Sequence, residues 1–166
     1  RNRGTVGGNV AHADPASDLP GAVIAADATL VLEGRDGERT VAADDFFDGM
    51  FATALEEGEI ITEIRFPVPQ KAHYQKFEQP ASRFALVAVF VAQYSDGVRV
   101  AVTGASEEGV FRWSEAEAAL SSNFAPDAIE GLTLDSGGMI EDMHGSGAYR
   151  AHLVGVMTRR AVASAG

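Results

Sequence analysis

Hydrophobic and polar positions along this chain fall into blocks whose period changes several times. After Pro20, the apolar run AVIAADATLVLEG reads as a short helix passing into a strand, with Thr29 to Glu33 extended. Arg35-Asp36-Gly37 carries turn chemistry, and ERTVA (Glu38 to Ala42) is the returning strand. In DDFFDGMFATALEEGE the apolar residues Phe46, Phe47, Met50, Phe51, Ala54 and Leu55 recur at helical spacing behind Asp44, Asp45 and Asp48. That pattern predicts a core-facing amphipathic helix stopped at Gly58. EIITEIRFP then reads as a strand ending at Pro67.

Pro67-Val68-Pro69-Gln70-Lys71 places two prolines in three residues, which disfavours helix and removes donors from any sheet ladder. A domain boundary is expected there, separating residues 1–68 from residues 70–166. Beyond it HYQKFEQ, FALVAVFVAQYS, GVRVAVTGAS and GVFRW read as successive strands, with hairpin turns at Asp96-Gly97 and Glu108-Gly109. Three hairpin-linked strands predict a three-stranded antiparallel sheet. Ser114-Glu115-Ala116-Glu117 matches a capping box and opens a helix through about Leu120. The tail GAYRAHLVGVMTRRAVASA is a further helix, with Tyr149, Leu153, Val156 and Arg160 as its expected stripe and Arg159 and Arg160 toward its C-terminal end. The fold class expected is α+β.

Composition narrows the chemistry. There are no cysteines, so disulfides and iron–sulfur clusters on this polypeptide are ruled out, and a redox role requires another cofactor or a partner's centres. A formal net charge of −11 argues against nucleic acid or an anionic membrane as the main partner. Phosphate remains open, because backbone amides bind it without side-chain charge. No apolar run approaches the ~20 residues of a membrane span. The compartment expected is the cytoplasm, at most at the inner face of the membrane. The chain starts at Arg1 without Met and enters a glycine pair directly, so its natural N-terminal part is expected to be absent. His12, His73, His144 and His152 lack metal-ligand spacing and read as surface or core residues.

The most informative stretch is RNRGTVGGNVAHADPASDLP. Gly7-Gly8 lets a backbone approach a ligand more closely than any Cβ allows, and its amides suit a pyrophosphate. Asn9 donates and accepts, and Asp18 offers a carboxylate to sugar hydroxyls. On pattern alone the stretch reads equally as a simple tight turn.

That run, continued through EIITEIRFP, YQKFEQPASRFALVAV and MHGSGAYRAHLVGVMTRRAV, closely resembles the flavoprotein, or medium, subunit of molybdenum hydroxylases. This family contains aerobic carbon monoxide dehydrogenase and xanthine dehydrogenase. The resemblance covers nearly the whole chain, and its Tyr-x-Lys-Phe…Pro-Ala-Ser-Arg form leans toward the carbon monoxide dehydrogenase-like branch. It implies the second half of a vanillyl-alcohol-oxidase-type FAD-binding domain, followed by a small C-terminal domain. It implies that Thr5, Val6, Gly7, Gly8 and Asn9 contact the FAD diphosphate and nearby ribityl region, that Asp18 bonds cofactor hydroxyls, that Ile61 lies near the isoalloxazine or adenine, and that Lys76 also contacts the cofactor. FAD would be held non-covalently. The family's earlier Ala-Gly-Gly-type loop has no counterpart here, so half of the site is expected to be missing and FAD binding by this chain alone to be weak or absent.

The activity implied is electron transfer. A molybdenum cofactor on a large subunit would oxidise substrate, 2Fe–2S clusters on a small subunit would relay electrons, and the flavin would pass them to a quinone or NAD. Arg83 and Arg150, within family-like segments, are expected to dock partner subunits. The rival reading is a non-catalytic assembly module that keeps the fold without flavin.

Overall fold

The computed structural model describes residues 3–166; Arg1 and Asn2, where the family-like run begins, lie outside the described residues. Two helices, α1 (Val6–His12) and α2 (Asp18–Ala25), precede a three-stranded antiparallel sheet of β1 (Thr29–Gly34), β2 (Gly37–Ala42) and β3 (Ile60–Arg65) in the order β2-β1-β3. The Arg35-Asp36 turn closes β1 on β2, and Gly37 supplies the positive φ of 116° that the turn needs. Central β1 buries Leu30, Val31 and Leu32.

The second sheet has four antiparallel strands, β4 (Lys71–Glu78), β5 (Ala85–Tyr94), β6 (Gly97–Ser106) and β7 (Gly109–Arg112), in sequence order. The expectation of three is corrected. HYQKFEQ lies within the fourth strand, paired with β5 from Lys71 opposite Gln93 to Glu78 opposite Ala85. It lacks a two-residue turn signal because residues 79–84 form its connection. β5 reads as a near-continuous apolar run because both of its faces are covered. Val87, Val89 and Val91 pack with Trp113, Leu120, Val154 and Met157, from α3 (Ser114–Ser122) and its entry and from α4 (Gly147–Ser164). Phe90, with Ala101 of β6, packs with Val23 and Ile24 of α2 and with Phe46.

The helix expected over DDFFDGMFATALEEGE does not form. Residues Ala43–Asp45 make one 3-10 turn, and Phe47 bridges to Thr53. Gly49 and Phe51 adopt positive φ of 106° and 56°, which a helix cannot contain. Phe46 is fully buried, whereas Met50 and Phe51 face solvent. Arg39 fastens the end of this segment, donating to Ala54 O at 2.6 Å and, through Nε and Nη2, to both Glu59 carboxylate oxygens at 2.7 Å.

Both C-terminal helices form with corrections. The capping box is not used: Trp113 is the N-cap of α3, and the Glu117 carboxylate accepts instead from Val100 N at 2.8 Å and from Arg112. In α4 the Ser146 hydroxyl accepts from Tyr149 N. Its buried face carries Arg150, Leu153, Val154, Met157 and Ala161, turned from the expected stripe so that only Leu153 is both expected and buried, while Val156 is half-buried and Tyr149 and Arg160 are exposed.

Arg150 is the charged member of that buried face. Its guanidinium is not the docking group expected from sequence but lies inside, with 2% of the residue exposed. It donates to Leu86 O, Gly104 O and Asp142 Oδ1, each at 2.8 Å. Arg83 does stand on the surface, with positive φ and a 3.9 Å approach to Glu78. Gly104 is constrained in the same place. It has φ +81°, its N–H donates to Pro15 O at 2.6 Å, and an added Cβ would come within 2.7 Å of Ala85 O.

Gly104→Ala and Arg150→Met are each expected to lower stability by about 2–3 kcal/mol, the first by backbone strain and the second by leaving buried carbonyls unpaired; urea denaturation measures both. The hydrogen bond from Arg39, aided by the Glu56 amide, lowers the Glu59 pKa to about 2. A lowered carboxyl pKa stabilises the fold above the unfolded value near 4.5, and that contribution is lost as pH falls toward 2. The melting-temperature gap between the parent and Glu59→Gln is therefore expected to be full at pH 6 and to close below pH 4.5.

Candidate functional site

The Gly7-Gly8 pair is not a tight turn; it lies in the first turn of α1. Thr5, extended at φ −108° and ψ 159°, caps that helix, its Oγ1 accepting from Gly8 N at 3.0 Å while its carbonyl accepts from Asn9 N. A helix leaves its first amides without intrahelical acceptors. Thr5 satisfies Gly8, which leaves the amides of Val6 and Gly7 available. Each glycine in a helix costs roughly 0.8–1.0 kcal/mol relative to Ala, so the pair needs a local reason. At Gly8 the reason is the cap, because a Cβ would sit 2.9 Å from Thr5 Oγ1. At Gly7 an added Cβ would lie 3.6 Å from Ile61 O, in ordinary contact, so packing of α1 on β3 does not by itself demand the glycine there.

Between the two elements lies an open cleft of about 240 Å³ lined by Val6, Gly7, the β3 residues Ile61 to Ile64, and Phe66. Three of the residues singled out from sequence, Val6, Gly7 and Ile61, therefore line one space although far apart in the chain. Phe66 and Val6 are exposed there, giving the cleft apolar surface beside the α1 amides. Glu63 contributes negative charge, and the hydrogen bond from Arg65 lowers its pKa.

A second group gathers at the start of α2. Ser17, buried and at its N-cap, donates to Asn9 Oδ1 at 2.6 Å, so the Asn9 amide nitrogen is left as a donor. Asp18, the next residue, receives the Tyr74 hydroxyl at 2.6 Å and lies within 2.9 Å of Lys76 Nζ. Only 15% of the Lys76 side chain is exposed, against 48% of Asp18. The carboxylate is thus the outer member of the pair. Burial, then the Asp18 hydrogen bond, pushes the Tyr74 pKa up, which keeps the phenol a donor.

The eight residues selected from sequence accordingly form two neighbouring groups joined by the Asn9–Ser17 hydrogen bond. Thr5, Val6, Gly7, Gly8 and Ile61 surround the α1–β3 junction; Asp18 and Lys76 form the pair on α2 and β4. Sequence reasoning missed Ser17 and Tyr74. The signal for Tyr74 was present: it lies two residues from Lys76, and side chains two apart on a strand share a face.

Residues 1–69 match the family described as the FAD binding domain in molybdopterin dehydrogenase. The carbon monoxide dehydrogenase medium chain of Hydrogenophaga pseudoflava is 34% identical over 177 aligned positions, which take in 99% of this chain and 61% of that one. The nicotine 6-hydroxylase medium subunit of Paenarthrobacter nicotinovorans is 36% identical, covering 100% of this chain and 62% of its own. A structure of reconstituted CO dehydrogenase from Oligotropha carboxidovorans superposes with a TM-score of 0.83 at 30% identity, over 98% of this chain and 61% of that chain. This chain spans about three fifths of the length of the relatives it matches. Residues 1–69 thus match the FAD-binding domain of molybdopterin dehydrogenases, and nearly the whole chain is similar to their medium chains.

Proposed function

We propose that this chain is the part of an oxidoreductase medium subunit that binds one side of FAD and positions it for electron transfer. The observation that carries the proposal is the α1–β3 cleft, where Val6, Gly7 and Ile61 meet beside two amides with no intrahelical acceptor.

The residues present fit the cofactor's chemistry. Amides at a helix start suit a diphosphate, the apolar walls suit a ring system, and an outward carboxylate suits sugar hydroxyls. On this reading the amides of Val6 and Gly7 hold diphosphate oxygens, with Thr5 and Gly8 fixing the cap that presents them. The Asn9 amide nitrogen donates to the cofactor, Ile61 packs against a ring, and Asp18 accepts from hydroxyls with Lys76 beside it as counter-ion. The domain is of the vanillyl-alcohol-oxidase type over residues 1–68, and residues 70–166 form the medium subunit's C-terminal domain.

When bound, FAD supplies the exchange of electrons between centres that act one and two at a time. The chain itself binds, orients and shields. Relatives named as carbon monoxide dehydrogenase and nicotine 6-hydroxylase subunits support a complex in which a large subunit holds the molybdenum cofactor and a small one the 2Fe–2S clusters. A quinone or NAD is the terminal acceptor. With no cysteine, this chain has no thiolates to hold such clusters.

The test is titration of FAD into the natural polypeptide that carries this chain, with and without Gly7→Val. A valine there points its methyl groups into the space beside Ile61. FAD affinity is expected to fall at least tenfold, about 1.4 kcal/mol, with the melting temperature of the flavin-free protein little changed. Equal affinity in parent and variant would remove the cleft from the cofactor site.

A further inference from the structure

We propose that Tyr74 is a positioning residue for the cofactor, its hydroxyl fixing the Asp18 carboxylate so that the carboxylate's remaining lone pairs face a sugar hydroxyl. The inference rests on the FAD reading above and adds to it a residue from the other sheet.

Three observations meet at this point. The Tyr74 O–H donates to Asp18 Oδ1 at 2.6 Å, the short distance expected for a neutral donor on a charged acceptor. Lys76 Nζ lies 2.9 Å from Oδ1 and donates to Oδ2 at 3.0 Å, so the carboxylate is held by donors on two positions of one strand face. A carboxylate has about four lone-pair sites, and these contacts leave capacity on its solvent side, where Asp18 is half exposed. A free aspartate at the first position of a helix would sample several rotamers. Here two donors from β4, 56 and 58 residues away in sequence, select one.

The phenol is itself anchored. Its ring lies 6.2 Å from that of Phe90 on the neighbouring strand, and Phe90 packs into the cluster beneath α2. The position of Tyr74 is therefore set by the sheet, and it transmits that position to Asp18. Sequence reasoning assigned Lys76 to the cofactor; in the structure its ammonium lies on Asp18 and serves the same orienting role.

The experiment is a double-mutant cycle on the natural polypeptide with FAD as the probe, using Tyr74→Phe, Asp18→Asn and the double variant, each also melted without flavin. Tyr74→Phe keeps the ring and removes only the hydroxyl. It is expected to weaken FAD binding about tenfold in the parent and to have no further effect beside Asp18→Asn, with the flavin-free melting temperature close to that of the parent. Unchanged affinity in Tyr74→Phe together with a loss in Asp18→Asn overturns the positioning role and leaves the FAD reading standing. An equal loss in both backgrounds assigns the effect to packing and overturns it too. If Asp18→Asn binds as the parent does, Asp18 is not at the cofactor and the proposal fails; if the parent binds no FAD, the functional reading fails with it.

Discussion

The buried guanidinium of Arg150 is the constraint on which the second half of the molecule is arranged. A charge taken out of water must be matched by acceptors at fixed positions, and here these are two carbonyls on adjacent strands and one carboxylate. Leu86 and Gly104 lie just beyond the last β5–β6 pair, Ala88 opposite Thr103, where their carbonyls are no longer taken by that ladder. Gly104, at positive φ and with no room for a Cβ, supplies that departure, and the β6–β7 register shifts between Val102 and Ser106. The same glycine donates to Pro15 O, in the link between α1 and α2. One residue thus ties the long C-terminal helix, the four-stranded sheet and the segment leading into the candidate site.

That tie explains why the site does not float on the surface as a loop would. α1 is only two turns long, too short to be stable alone. It is held from below by Ile61 on β3, from its C-terminal end by the Ala13–Phe51 backbone bond, and from the side by Asn9 on Ser17. A glycine pair in so short a helix is tolerable only with such external support. The support is also what allows the Val6 and Gly7 amides to remain without an acceptor among the described residues.

Local signals were legible in the sequence. The Asp-Gly and Glu-Gly turns fixed the hairpins because a two-residue turn specifies register by itself. The apolar stretch of β5 was legible as a strand, although its two-sided burial was not. What escaped was non-local. The spacing in DDFFDGMFATALEEGE is helical, yet of its spaced apolar residues only Phe46 is fully buried, with Phe47, Ala54 and Leu55 half-buried against the same core, because Gly49 and Phe51 turn the chain and Arg39 of β2 captures Ala54 O. Arg150 looked like a surface cation because nothing in its neighbours announces two carbonyls 64 and 46 residues away. At the site, the residues carried over by resemblance were close to one another, but Ser17 and Tyr74 were invisible because their role is to hold other residues.

The prolines between β3 and β4 separate the two sheets in sequence but not in their interactions. Three acidic residues of the first segment each meet a cation of the second: Asp18 with Lys76, Asp27 with Arg99, and Asp44 with Arg112. The polarity is the same every time. Such partly exposed pairs contribute little individually, typically about 0–1 kcal/mol, so their consistent sign argues for orientation more than for stability. In all three pairs the cation is the more sheltered member, and the contrast is widest for Lys76 and Asp18, at 15% against 48%. An arrangement made only to join two segments would gain by burying both members or exposing both. Sheltering the cation and presenting the anion leaves a fixed, partly neutralised acceptor at the surface, which is the property a ligand hydroxyl can use.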